Sequence, residues 1–234
     1  MPRPLVIAHR GASGYECENS RAAFRRALTL GADGVELDVH ATRDGAMVVH
    51  HDPEIPGYGP IAELSGPRVR QARIANGETL PLLSEILDLL VDLEVWVEVK
   101  SLPARHDAAL LAVLARGPAP HRTAVHSFDH RIVGRLGKCE PSLRRGILLS
   151  SYLEDPVAAL RAVGATALWQ EWHQVDRVLL DRVHGMGGTV VAWTVDQAVE
   201  VGRLTRLGVD AICGNYPDRT RAAVAAASGG RDQG

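Results

Sequence analysis

The sequence predicts an α/β fold in which eight parallel strands close into a barrel and a helix follows each strand. Short apolar runs alternate with helical patterns along nearly all of the 234-residue chain, which is the order of βα units. Eight of these runs predict strands, and the chain length suits one barrel of this kind. No second composition regime and no internal repeat interrupts the alternation. An open, doubly wound sheet is the alternative that the same pattern permits.

The predicted strands are short apolar runs, several of them rich in β-branched residues. The first run is uniformly apolar, which is typical of a strand buried on both faces. The set covers residues 5–8, 34–40, 95–100, 123–128, 145–149, 167–169, 189–195 and 209–212.

The predicted helices carry apolar residues at helical spacing. At the start of the first helix, Asn19 or Ser20 can cap the free N–H groups, and Gly31 stops the helix. The set covers residues 23–30, 82–93, 110–114, 131–136, 156–163, 175–184, 199–207 and 217–226.

Residues 52–80, called the excursion below, break this rhythm because they are rich in proline and glycine. A hairpin-type turn at residues 43–45 leads into an additional strand over 47–51 just before them. A short helix is predicted inside the excursion near residues 69–74. We therefore predict a single domain over residues 1–227, with the excursion as a small insertion after the second strand, and a disordered polar tail over 228–234.

Composition excludes several classes of protein. A formal net charge of −2 without charged blocks argues against a nucleic-acid binder, whose basic surface would dominate the balance. Three scattered cysteines without metal-type spacing are expected to be free thiols in a reducing compartment. The sequence has neither a signal-type stretch nor a run long enough to cross a bilayer. The expectation is a cytoplasmic protein without stable membrane association; its oligomeric state is open.

The stretch Gly34–His40 indicates the chemistry. In a strand, Glu36, Asp38 and His40 share one face, while the apolar residues between them take the other. Two buried carboxylates on one face are costly unless a positive charge lies between them. A divalent cation such as Mg²⁺ or Ca²⁺, which prefers hard oxygen ligands, is the simplest partner. The alternative is an edge strand with both carboxylates in solvent.

A parallel barrel would bring further polar residues to the same end, because its active site forms at the carboxyl ends of the strands. Glu98 would add a third carboxylate. Arg10 and Lys100 would add positive charge for an anionic substrate, and His9 and His51 could act as general acid and base. Together they meet the needs of phosphodiester hydrolysis: charge neutralisation, activation of a nucleophile and protonation of a leaving alkoxide.

At these residues the sequence resembles the glycerophosphodiester phosphodiesterases. The segments that carry the resemblance are residues 9–15 with 18–20, 34–39, 42–45, 48–52, 98–100, 193–196, 208–212 and 216–218. They span nearly the whole chain. The resemblance implies a TIM (β/α)₈ barrel with a small insertion, which the excursion would supply. It also implies cleavage of glycerophosphodiesters to sn-glycerol 3-phosphate and an alcohol, with Mg²⁺ or Ca²⁺.

The resemblance also implies roles for individual residues. The three carboxylates match metal ligands, His9 and His51 match the acid–base pair, and Arg10 and Lys100 match residues that hold phosphate; Lys100 could alternatively form a structural ion pair with Glu98. We assign the second histidine to His51 rather than to the histidine before it, because His51 directly precedes an aspartate.

Glu18 and Trp193 are predicted to bind substrate, although a helix-start role and a plain core role, respectively, explain them equally well. His126 is interpreted as a core residue. Two departures from the family pattern stand out: Cys17 replaces a frequent proline, and residues 54–58 replace an Arg-Thr-Thr segment, which affects the alcohol specificity.

Three other functions remain as alternatives. A phospholipase D-type hydrolase of the same superfamily would act on lysophospholipids and need a wider apolar entrance. A non-catalytic sensor of phosphate ligands would have lost a histidine or a carboxylate, and none is missing here. A sugar-phosphate isomerase on the same fold would not need the carboxylate cluster.

Overall fold

The protein forms a closed barrel of parallel strands, as predicted. A computed structural model describes residues 2–229. Its strands are β1 (Leu5–His9), β2 (Gly34–Ala41), β3 (Met47–Val49), β4 (Glu54–Ile55), β5 (Gly59–Pro60), β6 (Glu94–Ser101), β7 (Thr123–Ser127), β8 (Arg144–Leu149), β9 (Ala167–Glu171), β10 (Thr189–Trp193) and β11 (Ala211–Gly214). Eight of them, β1, β2 and β6 to β11, pair in parallel in chain order, and β1 closes the ring by pairing with both β2 and β11. The TIM barrel prediction is therefore confirmed.

Helices surround this barrel. They are α1 (Arg21–Thr29), α2 (Gly66–Val69), α3 (Leu83–Leu89), α4 (Asp107–Arg116), α5 (His130–Cys139), α6 (Pro156–Val163), α7 (Arg177–Gly185), α8 (Ala198–Leu207) and α9 (Pro217–Gly229). Ser20 caps α1, because its Oγ accepts a hydrogen bond from the backbone N–H of Ala23 at 3.0 Å. Gly31, with φ of +72°, follows the end of α1 in the left-handed region that favours glycine.

The core has an outer layer between strands and helices and an inner layer inside the barrel. Val35, Leu37 and Val39 point outward from β2 into the outer layer, where Phe24 and Ile86 also pack. The inner layer is rich in aromatic and small residues: Ile7, Trp96, Ala124, Leu148, Ala167, Trp169, Val191, Ala211 and Cys213. The predicted alternation of outward apolar and inward polar residues on β2 therefore holds from Val35 to Val39.

The excursion packs on a small core that five of its side chains form with Val48 of β3: Ile55, Ile61, Val69, Ala72 and Leu80. It contains the β4–β5 hairpin, a 3₁₀ turn at Ile61–Glu63 and α2. The predicted helix over 69–74 is wrong, because α2 lies earlier, at Gly66–Val69. A proline near the first helical position favours that start. The hairpin before the excursion is confirmed, since β2 and β3 pair antiparallel.

Other boundaries also differ from the predictions. Helix α3 ends at Leu89, β10 ends at Trp193, and β11 runs over Ala211–Gly214. Helix α9 continues to Gly229, so residues 228 and 229 of the predicted disordered tail are helical, while 230–234 lie outside the described residues. Within residues 2–229, none of the helices has the length and apolar character that crossing a bilayer requires.

Candidate functional site

Three buried carboxylates meet inside the carboxyl-terminal end of the barrel. Glu36 and Asp38 lie on β2 and Glu98 lies on β6, where the strand register places Glu98 beside Asp38. One oxygen from each of the three carboxylates lies within 4.8 Å of the others. The structure thus brings together the three predicted metal ligands from two neighbouring strands.

Two cations contact this cluster. Lys100 Nζ lies 2.7 Å from Glu98 Oε1 and 3.1 Å from Asp38 Oδ1, and Arg10 Nε lies 3.1 Å from Asp38 Oδ2. Burial alone would raise the pKa of Asp38, but Lys100, Arg10 and the Asn19 amide hold it below its usual range. That amide donates to Asp38 Oδ2 at 2.8 Å. Asp38 is therefore the carboxylate that stays ionised most readily.

Glu36 and Glu98 have raised pKa values, in contrast to Asp38. Burial raises the pKa of Glu36 well above its usual value, and the neighbouring Asp38 and Glu98 raise it further. The pKa of Glu98 is also raised, by burial and then by Asp38. In addition, Asp38 Oδ1 is buried with Lys100 Nζ, at 3.1 Å, beside it. Three sets of hard oxygen atoms lie at this spacing, and Arg10 and Lys100 only partly offset the repulsion between the carboxylates. This arrangement fits a divalent cation of the Mg²⁺ or Ca²⁺ type.

His9, at the end of β1, has a defined tautomer. Its Nδ1 lies 2.8 Å from Asn215 Oδ1, and Asn215 Nδ2 donates to Asp196 Oδ2 at 2.6 Å. Because this second bond fixes the Asn215 amide, Nδ1 of a neutral His9 carries the proton and its Nε2 is unprotonated. That Nε2 lies 4.0 Å from Glu36 Oε2. Burial, followed by the charge of Arg10, lowers the pKa of His9.

His51 follows β3 in the chain. Its Nδ1 is 2.8 Å from Asp52 Oδ1, and its ring is partly exposed. His40 lies on the predicted face of β2, because Val39 and Ala41 on either side of it both pack in the outer layer, but it does not join the cluster of three carboxylates. The His40 ring instead contacts the backbone oxygen of His51, at 3.0 Å. It therefore lies beside the backbone that carries His51.

A cavity of about 120 Å³ joins these groups. Its charged half is lined by His9, Arg10, Glu36, His51, Glu98 and Lys100. Its uncharged half, on β7 to β11 and the loop after β7, is lined by His126, Phe128, Leu148, Trp169, Trp193 and Cys213. A larger cavity of about 510 Å³ lies near the amino-terminal ends of β7 and β8 and contains none of the predicted site residues. The smaller cavity is therefore the candidate site.

Glu18 and Trp193, the two other predicted site residues, differ in position. Trp193 lines the cavity and forms an edge-to-face pair with Phe128, with ring centroids 5.5 Å apart. Glu18 does not line it; its carboxylate contacts Arg10 Nη1 at 2.9 and 3.0 Å. Glu18 thus reaches the site through Arg10.

Sequence reasoning missed part of the site. His126 is completely buried, as a core residue would be, but it lines the cavity, and its Nε2 lies 3.9 Å from Glu36 Oε1. Within residues 2–229 neither ring nitrogen has a hydrogen-bond partner, and burial lowers the pKa of His126 to about 3. Its place near the end of a strand, two residues before Phe128, was the signal available in the sequence.

Comparisons with known proteins agree with this geometry. A model of the glycerophosphoryl diester phosphodiesterase family matches residues 9–219. A glycerophosphodiester phosphodiesterase of Caldanaerobacter subterraneus subsp. tengcongensis is 31% identical, over 92% of this chain and 96% of the relative. The "probable glycerophosphodiester phosphodiesterase 1" of Mycobacterium tuberculosis is 32% identical, over 94% and 92% of the two chains. A crystal structure of a glycerophosphodiester phosphodiesterase from Parabacteroides distasonis matches with a TM-score of 0.86 and 26% identity, over 97% of this chain and 98% of that one.

Proposed function

Because the chain belongs to the glycerophosphoryl diester phosphodiesterase family, we propose that it hydrolyses glycerophosphodiesters to sn-glycerol 3-phosphate and an alcohol. The observation that carries the proposal is the buried cluster of Glu36, Asp38 and Glu98 between two cations and two imidazoles. The names of the curated relatives support the same activity. The substrate would be a small phosphodiester, in keeping with the small cavity.

The three carboxylates would hold one divalent cation, Mg²⁺ or Ca²⁺. Bound there, it would offset the negative charge of the phosphate oxygens and of the transition state. The carboxylates suit this role because they are buried, come from rigid strands and share too much negative charge to stay ionised together without a cation.

Arg10 and Lys100 would bind the phosphate group. Both lie at the cavity with their charge directed at the carboxylates, so an incoming phosphate would share the same two donors. Glu18 orients the Arg10 guanidinium through its two contacts, and Trp193 would cover the substrate from the uncharged half. A direct contact between Glu18 and substrate remains a prediction.

His9 would act as the general base and His51 as the general acid. Because Asn215 Oδ1 accepts a hydrogen bond from Nδ1 of His9, the unprotonated Nε2 faces the cavity. The lowered pKa of His9 keeps the ring neutral, as a general base requires. The carboxylate of Asp52 holds Nδ1 of His51 at 2.8 Å and so orients the ring, which would protonate the departing alcohol. The nucleophile that His9 deprotonates is either water or the 2-hydroxyl of the substrate; a trapped cyclic phosphate would identify the second.

An activity screen tests the proposal. Purified protein is incubated with a panel of glycerophosphodiesters, with and without a chelator, and released glycerol phosphate is measured. Glu36→Ala and Asp38→Ala should abolish turnover, whereas Glu94→Ala, which changes a carboxylate paired with Arg144 at the start of the same strand as Glu98, should not. Full turnover in chelator, or in both site variants, would contradict the ligand assignment.

The same screen tests the lysophospholipid alternative. A cavity of about 120 Å³ leaves little room for an acyl chain, so glycerophosphocholine should be a far better substrate than lysophosphatidylcholine. The reverse preference would favour the phospholipase D-type reaction.

A further inference from the structure

His126 and Trp169, called the floor of the cavity below, carry buried polar atoms that make no hydrogen bond within residues 2–229. Both ring nitrogens of His126 and Nε1 of Trp169 are buried, and none of them has a hydrogen-bond partner in the part of the chain that the structure describes. The two side chains are 0% and 1% exposed and their ring centroids are 4.2 Å apart. Trp193 lines the same cavity, and its Nε1 is likewise buried without a hydrogen-bond partner among the described residues.

Unpaired buried polar groups are rare in folded proteins, because each loses its hydrogen bonds to water without replacement. A residue needed only for packing at these positions would be an apolar one, such as Leu148 in the same lining. Several unpaired N–H groups around one cavity therefore indicate a ligand that hydrogen-bonds them when it binds.

The chemistry of the lining restricts that ligand. Phosphate belongs to the charged half, with Arg10 and Lys100. The uncharged half holds no formal charge, so the part of the substrate that enters it is neutral and small. A tryptophan N–H only donates, whereas a neutral histidine donates with one nitrogen and accepts with the other. A short polyol matches this set, because its hydroxyls donate and accept and its carbon atoms pack on aromatic faces.

We infer that His126 and Trp169 hydrogen-bond the terminal hydroxyl of the substrate's glycerol unit and make the enzyme select glycerol over otherwise similar alcohols. This inference rests on the proposed function, because it takes a glycerophosphodiester as the substrate. The variable alcohol would then face the open mouth of the cavity, on the side of Phe128, which is 46% exposed.

The test compares two substrates that differ in one hydroxyl. Glycerophosphocholine has the terminal hydroxyl, whereas 2-hydroxypropyl phosphocholine lacks it but keeps the 2-hydroxyl that could serve as nucleophile. The wild type should prefer the first by about 10-fold or more in kcat/KM. His126→Phe and Trp169→Phe should each reduce this preference by about 5- to 10-fold, while His126→Gln, which keeps a donor and an acceptor, should retain more of it.

Trp96→Phe is the matched control. Trp96 packs against both floor rings, with centroids 5.6 Å from His126 and 5.3 Å from Trp169, but it does not line the cavity. This variant should keep the wild-type preference. A loss of preference equal to that of the floor variants would overturn the inference, since packing alone would then explain it.

Binding measurements on the wild type test the contribution of the terminal hydroxyl without any variant. Calorimetry with sn-glycerol 3-phosphate, 2-hydroxypropyl phosphate and inorganic phosphate should show the first bound about 10-fold more tightly than the second. Less than a twofold difference would overturn the inference, even if floor variants fail to fold. Absence of turnover on every glycerophosphodiester would instead reject the proposed function, and the binding comparison would still report on the floor.

Discussion

Replacing Glu36 with glutamine should stabilise the metal-free protein and abolish its response to magnesium and calcium. Glu36 is 3% exposed, and one of its oxygens lies within 4.8 Å of an oxygen of Asp38 and of Glu98. Burial and these two carboxylates raise its pKa. Without a cation, the ionised side chain therefore opposes folding, whereas with a cation the same side chain is a ligand.

The expected gain follows from removing one buried like charge. Glutamine has the size of glutamate, and its side-chain oxygen can still accept the Arg10 backbone N–H that now reaches Glu36 Oε2 at 3.2 Å. We expect the free energy of unfolding of the metal-free variant to exceed that of the wild type by about 1 to 2 kcal/mol at alkaline pH. The gain should shrink in acid, because a raised folded-state pKa costs stability only as the pH rises from the unfolded-state pKa through the folded-state pKa.

The stabilisation that a bound cation gives should, in contrast, be smaller in the variant than in the wild type. At a free cation concentration of 100 times Kd, a ligand specific for the folded state stabilises it by about 2.7 kcal/mol. For a chain of this length, that is a rise in Tm of roughly 5 to 10 °C. The glutamine variant lacks one of three carboxylate ligands and should show little of this rise.

Urea unfolding of both proteins, with chelator and with millimolar MgCl₂ or CaCl₂, measures both effects. Glu94→Gln serves as the control, because Glu94 lies on the same strand as Glu98 but pairs with Arg144 outside the cavity. The control should keep the full metal response. The reasoning would be refuted by a Glu36→Gln variant that is less stable than wild type without metal and gains as much from metal.

Three further predictions concern other parts of the molecule. Asn215→Ala should lower kcat by about 10- to 100-fold with little change in KM, because His9 loses the acceptor that fixes its tautomer; steady-state kinetics would check this, and a kcat within twofold of wild type would contradict it. Asp33→Asn should cost about 1 to 2 kcal/mol of unfolding free energy at pH 7, since burial raises the pKa of Asp33 but Arg3, the Val6 backbone N–H and Arg221 together lower it below its usual value. Wild type and variant should converge as the pH falls through that lowered pKa, and a difference that persists in acid would argue against the ion pair. Gly34→Ala should cost about 2 kcal/mol or more in a thermal melt, because the new Cβ would lie 2.7 Å from a backbone oxygen of β6; an unchanged Tm would show that the strands can move apart.

The sequence was sufficient to predict the barrel and the core of the site. Strand periodicity alone directs Glu36, Asp38 and Glu98 to the inner face, and the parallel order of the strands brings them to one end. The family resemblance is likewise confirmed. The same periodicity correctly places His40 on the inner face, since Val39 and Ala41 both pack in the outer layer, but the contact of its ring with the backbone of His51 could not be read from the pattern.

Other features depend on contacts that no local pattern encodes. Asn215 orients His9 across 206 residues of sequence, and this pairing exists only once β1 and β11 are neighbours. His126 has the surroundings of a core residue in sequence, and only its unpaired nitrogens beside a cavity distinguish it. The helix in the excursion was misplaced because proline and glycine fix turns there more strongly than apolar spacing fixes a helix.

The separate packing of the excursion has a consequence for how such an enzyme can diverge. His9 is anchored to the closed ring of strands, whereas His51 lies at the junction between β3 and a segment that contributes five side chains to a separate small core. Substitutions among those five would shift His51, the proposed proton donor, relative to His9, the proposed proton acceptor, and leave β2 and β6 in place. Variation in the excursion would therefore change how the leaving group is protonated, and with it the range of alcohols accepted. The barrel itself would change little.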